Sequence, residues 1–167
     1  MSSANQSSQQ TEQEPRLLAD VMLGSLARWL RILGIDTFYD NRIEDGEIAR
    51  RCAAENRLAL TQDRRLVERR LLRERSLLVQ SVRLDEQLRE TLDFLGRCAQ
   101  AEQILSRCLI CNSPIRTLTK PEVRDRVPPF VFRTQQRFKY CPVCRRIYWG
   151  GTHRRRILRK LEKWGLL

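Results

Sequence analysis

No stretch of this chain is both long and apolar, which excludes a membrane-spanning helix, since that needs roughly 20 consecutive apolar residues. Residues 1–15 are almost wholly Ser, Gln, Asn, Glu and Thr, with neither a basic start nor an apolar centre, so no secretory signal is expected there. They read instead as a disordered polar tail, because they bury too little apolar surface to offset the entropy of ordering. Histidine is nearly absent: His153 is the only one. It reads first as a local hydrogen-bonding residue and second as a substrate contact or proton shuttle. Acid is scarce as well, with 20 Asp and Glu against 32 Lys and Arg and a formal net charge of +12. Such a surplus makes nucleic acid the leading partner class, ahead of an anionic membrane surface or a merely solvated arginine coat. Six cysteines without a sign of export point to metal or free thiols and to the cytoplasm, rather than to a disulfide framework.

What is present is organised around residues 17–33. Leu17, Leu18 and Ala19 form a short apolar run that stops at Asp20. Helical spacing follows, with Leu23, Leu26, Ala27, Leu30 and Leu33 on one face and Arg28 and Arg31 off it. Gly34 stands where a left-handed cap would end that helix. A buried strand that enters a helix through an Asp is how α/β folds present a carboxylate at the ligand-binding edge, although Asp is also an ordinary cap. Residues 36–40 read as a second strand ending at Asp40, followed by a helix with Ile48, Ala49, Cys52 and Ala53 turned inward. Cys52 there reads as a buried, inert thiol. Residues 57–61 read as a third strand closed by Asp63, residues 64–75 as a very basic helix, and residues 76–82 as a fourth strand. An amphipathic helix over 84–95 repeats Leu84, Leu88, Leu92 and Leu95. This alternation predicts an α/β domain over 16–104, a parallel sheet with helices on both faces.

In such a sheet Asp20, Asp40 and Asp63 fall on one edge, with Asp45 and Glu47 just beyond the second strand. Carboxylates so gathered repel one another, and a fold gains nothing from them unaided. Mg²⁺ or Mn²⁺ reverses that cost, so an acidic pocket in a basic protein fits a metal-dependent phosphodiesterase. Taken singly, Asp45 and Asp63 also suit helix caps.

Cys108-x-x-Cys111 and Cys141-x-x-Cys144 form two knuckles of a zinc ribbon over 105–151, holding one structural Zn²⁺ through four thiolates. The long segment between them carries Val127, Phe130, Val131, Phe132 and Phe138, so it is expected to fold. Cys98 is left over as a helix-end thiol. A basic helix over 152–167 completes the chain, starting beside Tyr148 and Trp149. Cations next to aromatic rings suit a single strand, by phosphate neutralisation and base stacking. The RNA-binding candidates are therefore Tyr148, Trp149, His153, Arg154, Arg155, Arg156, Arg159 and Lys160, together with Arg28 and Arg64. The plainer reading makes the aromatics ribbon core and the charges a solvated face.

Several motifs resemble the Mut-seven C-terminal ribonuclease family: LADVMLGSLARWLRILG at 18–34, Asp36-Thr37 with Tyr39-Asp40, and Leu60-Thr61-Gln62-Asp63. RDRVPP at 124–129, both knuckles and YWGGTH at 148–153 match as well. The resemblance implies a PIN-like (Rossmann-like) nuclease domain followed by a zinc ribbon, acting on single-stranded RNA with Mg²⁺ or Mn²⁺. It implies metal-ligand roles for Asp20, Asp63 and an acid in the 45–47 stretch, so Asp20, Asp45, Glu47 and Asp63 are the candidate catalytic carboxylates. Gln62 departs from the family's usual Arg, and no acid follows the fourth strand before Asp85. The leading expectation is a metal-dependent endoribonuclease. A non-catalytic RNA-binding module is the second, and a toxin-like or assembly component working through an unknown protein partner the third.

Overall fold

The computed structural model describes residues 14–167, so the polar tail expected over 1–15 lies outside the described residues except for its last two. Four parallel strands, β1 (Arg16–Ala19), β2 (Asp36–Tyr39), β3 (Leu58–Thr61) and β4 (Ser76–Leu78), form a sheet in the order β2-β1-β3-β4. Side chains alternate across each strand. Leu17, Ala19 and Leu60 meet α1 (Gly24–Ile32) and α4 (Leu84–Phe94) on one face. Leu18 and Ala59 meet Ile48, Ala49 and Cys52 of α2 (Asp45–Glu55), with Leu66 and Leu72, on the other. Burying each such leucine contributes about 1.5–3 kcal/mol, and burial pushes the Cys52 thiol up to about 11.

Gly34 ends the first helical stretch with φ +87°, the left-handed conformation expected of it, and a Cβ there would come 2.5 Å from the Gln103 carbonyl oxygen. Gly24 has a different reason: the Tyr39 phenol occupies the place of its missing side chain, at 2.6 Å.

The basic helix expected over 64–75 is a single turn, α3 (Arg64–Val67). Leu66 and Leu72 both enter the second core, and six residues advance a helix about one and two-thirds turns. A continuous helix would point one of them away, so the chain leaves the helix and Leu71 stays exposed. The fourth strand is likewise shorter than expected. Pairing of β4 ends at Leu78, only the Val79 N–H continues the ladder to the Thr61 carbonyl (2.8 Å), and Val82 lies in solvent. Ala53 is exposed rather than inward.

A second, antiparallel sheet, β5 (Arg116–Leu118), β6 (Phe138–Tyr140) and β7 (Ile147–Trp149), carries the cysteine knuckles. The segment between β5 and β6 folds, as its apolar content predicted. Val123 joins Leu118 and Phe138 in a small core with Val127, Val131 and Phe132 against it, while Phe130 of α5 (Pro129–Thr134) is exposed. Helix α6 (Thr152–Lys163) returns to the first core through Ile157 and Leu161, and Trp164 meets Trp29 edge-on with centroids 4.7 Å apart. Among the described residues no helix is long and apolar enough to cross a membrane.

Arg31, expected on the polar side of α1, is buried. Its guanidinium donates to the carbonyls of Thr37 (2.8 Å), Leu109 (3.1 Å) and Ile110 (2.9 Å), reaching from α1 into the first knuckle. Asp36 stands beside it, accepting from Arg57 (2.6 Å) and from the Asn112 amide (2.8 Å). Burial raises the Asp36 carboxyl pKa, but the hydrogen bonds from Arg57 and Asn112 outweigh it and hold the group below its ordinary 3.8.

Replacing Arg31 by Met leaves three carbonyls without their charged donor. It is expected to lower stability by about 3 kcal/mol, read from the guanidinium midpoint, with loss of amide protection in the first knuckle. A carboxyl with a lowered folded-state pKa contributes stability that is fully present above its unfolded value and lost as pH falls through the folded one. The stability gap between the wild type and Asp36→Asn should therefore be widest near neutrality and shrink once pH drops below 3.8, in parallel urea titrations.

Candidate active site

The four parallel strands bring their carboxyl ends to one edge, and Asp20 sits where the strand order reverses, between β1 and β3. Open α/β sheets bind ligands at such switch points. Asp20 is 5% exposed and is the only buried acid among the described residues. One of its oxygens accepts from the Val21 N–H and the other from the Thr61 hydroxyl at 2.7 Å. That hydroxyl in turn accepts from the Asp63 N–H at 3.0 Å. Thr61, fully buried, thus links Asp20 to the backbone of Asp63, and its role was not singled out from sequence. Asp63 also caps α3, accepting from the Arg65 N–H at 2.8 Å. Asp40 is exposed and closes its own turn through the Arg42 N–H (2.9 Å).

Asp45 and Glu47 occupy the first turn of α2, where negative charge suits the helix dipole. Asp45 pairs with Arg69 at 3.4 Å, and Glu47 with Arg50 at 2.9 Å and Arg51 at 3.4 Å. Hydrogen bonding from Arg50 holds the Glu47 carboxyl below its usual range. Among the described residues the strand-end acids Asp20, Asp40 and Asp63 have no such cationic partner, in a chain of net charge +12. No third carboxylate gathers with Asp20 and Asp63 in the way the cysteines gather. The one group of three or more metal-capable side chains with ligand atoms within 4.8 Å of one another, among the described residues, is the cysteine quartet.

The structure supplies two further polar groups at this edge. Gln62 donates to the Ser81 carbonyl at 3.0 Å and ties the end of β3 to the segment after β4. Glu90 reaches back from the middle of α4 to accept from the N–H groups of Gln80 (2.8 Å) and Ser81 (3.1 Å). Burial raises its pKa, and those two backbone donors more than reverse it. No acid stands between the fourth strand and Asp85, and the carboxylate found at the Gln80–Ser81 segment comes instead from a helix. Helical spacing alone gives no signal for such a return.

Cys108, Cys111, Cys141 and Cys144 converge, with Sγ–Sγ distances of 3.4 Å (Cys108 to Cys144) and 3.3 Å (Cys111 to Cys141). A tetrahedral ion with bonds of about 2.3 Å sets its sulfurs roughly 3.8 Å apart, so four thiolates could hold a structural zinc here. The two knuckles are folded alike. Asn112 and Arg145 follow them with φ of 67° and 59°, and their N–H groups donate to the Cys108 and Cys141 carbonyls. Burial pushes the Cys141 thiol up to about 12, and its neighbours Cys111 and Cys144 add to that. At Cys111 hydrogen bonding with Ser113 overcomes burial and pulls the thiol down to about 6. Sulfurs so crowded cannot all be thiolates without a cation. Cys98 lies exposed, outside this group.

The RNA-binding candidates fall in two places. β2 begins at Asp36 opposite Arg16, so α1 runs from the Asp20 edge back to the edge where the strands start. The ribbon is attached there: the Leu105 N–H donates to the Ile32 carbonyl (2.7 Å) and Arg107 to the Gly34 carbonyl (3.0 Å). Tyr148, Trp149, His153 and Arg154 thus belong with the strand-start edge, away from the acids. Tyr148 is half-buried, with its hydroxyl 3.0 Å from the Cys108 sulfur; Trp149 and His153 are exposed. From there α6 leads to Trp29 in the last turn of α1, with Arg155, Arg156 and Arg159 in solvent and Lys160 over the rings of Trp29 and Trp164. Arg64, next to Asp63, and Arg28, on α1, are exposed on the α/β domain itself.

Comparison with curated protein sequences gives no match. Among protein families, residues 15–161 match the Mut7-C RNAse domain, a span that takes in the strand-end acids, both knuckles and most of α6. That description carries a ribonuclease-type function and implies RNA as the substrate class. The chain belongs to the Mut7-C RNAse domain family.

Proposed function

We propose that the chain is a metal-dependent endoribonuclease that cuts single-stranded RNA at the edge carrying Asp20 and Asp63. The reading rests on Asp20, a buried acid with no cationic partner among the described residues of a strongly basic protein, at the switch point of a parallel sheet. Asp20 and Asp63 would hold Mg²⁺ or Mn²⁺. Mg²⁺ commonly binds through one or two carboxylates, with water and substrate phosphate filling the remaining positions, so two acids suit it. When bound, such an ion activates water and stabilises the charge on the phosphate and leaving oxygen.

The chain's own groups do the rest. The Thr61 hydroxyl and the Val21 N–H fix the orientation of the Asp20 carboxylate. Arg64 and Arg28 draw in the RNA backbone. Asp45 or Glu47 completes the site and orients the attacking water once its arginine partner turns to a phosphate, which an incoming strand supplies. Four thiolates hold a structural Zn²⁺ that keeps the ribbon folded, and free thiols suit the reducing cytoplasm.

A second reading, an RNA-binding module without catalysis, is favoured by one observation: Asp45 and Glu47 are engaged by arginines and do not gather with Asp20. One assay separates the two. With Mn²⁺ present, labelled single-stranded RNA should be cut internally, and omission of the ion should stop cleavage. Asp20→Asn/Asp63→Asn should lose at least about 100-fold in rate, corresponding to roughly 3 kcal/mol of transition-state stabilisation, with RNA binding retained. RNA bound equally by both proteins and cut by neither, across the divalent ions tried, would establish the binding module instead. For the ribbon, one equivalent of zinc is expected by elemental analysis. Cys141→Ser should lose it, and the 105–151 segment should become sensitive to protease.

A further inference from the structure

A cavity of about 600 Å³ opens between the segment leading into the first knuckle, strands β6 and β7, and the start of α6. Such a volume is typical of small-ligand sites, which span roughly 300–1,000 Å³. Its floor is apolar, with Ile104, Leu109 and Ile115. Trp149 lies at one wall with 41% of its surface open. Arg137, Lys139 and Arg154 line it too, and none of the three is in an ion pair among the described residues; Glu102 is the one acid in the lining. The Lys139 ammonium is placed by a 2.7 Å hydrogen bond to the Leu105 carbonyl. Uncompensated cations around an apolar slot with an indole at its side suit one kind of ligand, a flat ring joined to an anion.

We infer that this cavity seats one unstacked nucleotide of the RNA strand, its base against Trp149 and its phosphate between Arg154 and Lys139. The inference rests on the reading of RNA as substrate, and it goes further by giving the strand a fixed point far from the chemistry. The segment that lines the cavity is bonded to the end of α1 opposite Asp20. An anchored strand must therefore travel back to the acids; α6, with its arginines in solvent, leaves the cavity and reaches Trp29 in the last turn of α1, which gives the strand a cationic surface over the first part of that path. The pocket grips and the acids cut.

The test is direct binding by the full chain, without added divalent ions so that nothing is cleaved, using a fluorescent ten-nucleotide single-stranded RNA and adenosine 5′-monophosphate. Trp149→Ala and Arg154→Glu, each at an exposed side chain, should weaken decamer binding at least about tenfold, since stacking on one aromatic residue commonly carries that much. Ala53→Ser, at an exposed position on α2, should bind as the wild type does. Adenosine monophosphate should quench tryptophan fluorescence in the wild type and not in Trp149→Ala. Zinc content and thermal melting of each variant show whether the ribbon is intact; if either variant is misfolded, the fluorescence titration of the other decides.

Wild-type affinity in both well-folded variants, or quenching that persists without Trp149, overturns the pocket. Displacement of the decamer by polyglutamate as readily as by polyuridylate would make the cleft a surface for acidic protein and overturn it as well. If the decamer binds through the pocket while the Asp20 and Asp63 assay shows no cleavage, the nuclease reading falls and the pocket stands.

Discussion

Two buried arginines and one half-buried aspartate hold this protein together. Arg31 spends its donors on backbone carbonyls of its own domain and of the first knuckle. Asp36 collects Arg57 from the start of β3 and Asn112 from just past the same knuckle. The Thr37 N–H also donates to the Asn112 amide oxygen. A buried guanidinium is tolerable only when its charge and its donors are matched. Here the matching partners come from both folded units, so the ribbon is bonded to the sheet rather than tethered to it. Breaking either side strands a buried polar group on the other.

That attachment decides the geography of the molecule. Because the network lies where the parallel strands begin, the ribbon is committed to that edge, and the carboxyl ends with Asp20 and Asp63 are left open. The charges divide accordingly. Most arginines are exposed, and several are taken up by acids on neighbouring turns, as with Arg50 and Glu47 or Arg83 and Asp85. Asp20 has only hydrogen-bond donors around it. A cationic exterior attracts polyanions, while the open edge carries Asp20, which Thr61 links to the backbone of Asp63. The basic helix α6 follows the ribbon, and its apolar side, Ile157 and Leu161, is part of the sheet's own core.

Much of this was legible in the sequence, and the reasons are local. The βα alternation, the helix over α4, the inward Cys52 and the left-handed Gly34 each follow from residues a few positions apart. The two Cys-x-x-Cys knuckles specify their ligand set by spacing alone. What misled were the elements whose outcome depends on partners distant in the chain. The stretch after Asp63 reads as one helix until Leu72 has to reach the same core as Leu66. Arg31 reads as a surface residue because helical periodicity counts it polar, and its acceptors at Leu109 and Ile110 lie almost eighty positions away. Glu90 hides within an amphipathic pattern that gives no hint of the two N–H groups it caps.

Residue types and short-range spacing were thus enough to determine that the chain builds a parallel α/β sheet with acids at its strand ends and a four-cysteine ribbon after it. Only the tertiary structure decided which acids stand near one another. It ties Asp20 to Asp63 through Thr61, turns Asp45 and Glu47 to arginines, and puts the ribbon at the opposite edge. The Glu47 pairs are local to one helix, but the Asp20–Thr61 bond, the Asp45–Arg69 pair and the ribbon contacts join residues more than 20 positions apart, which the cost of closing the chain and the shape of the core select and which periodicity cannot encode.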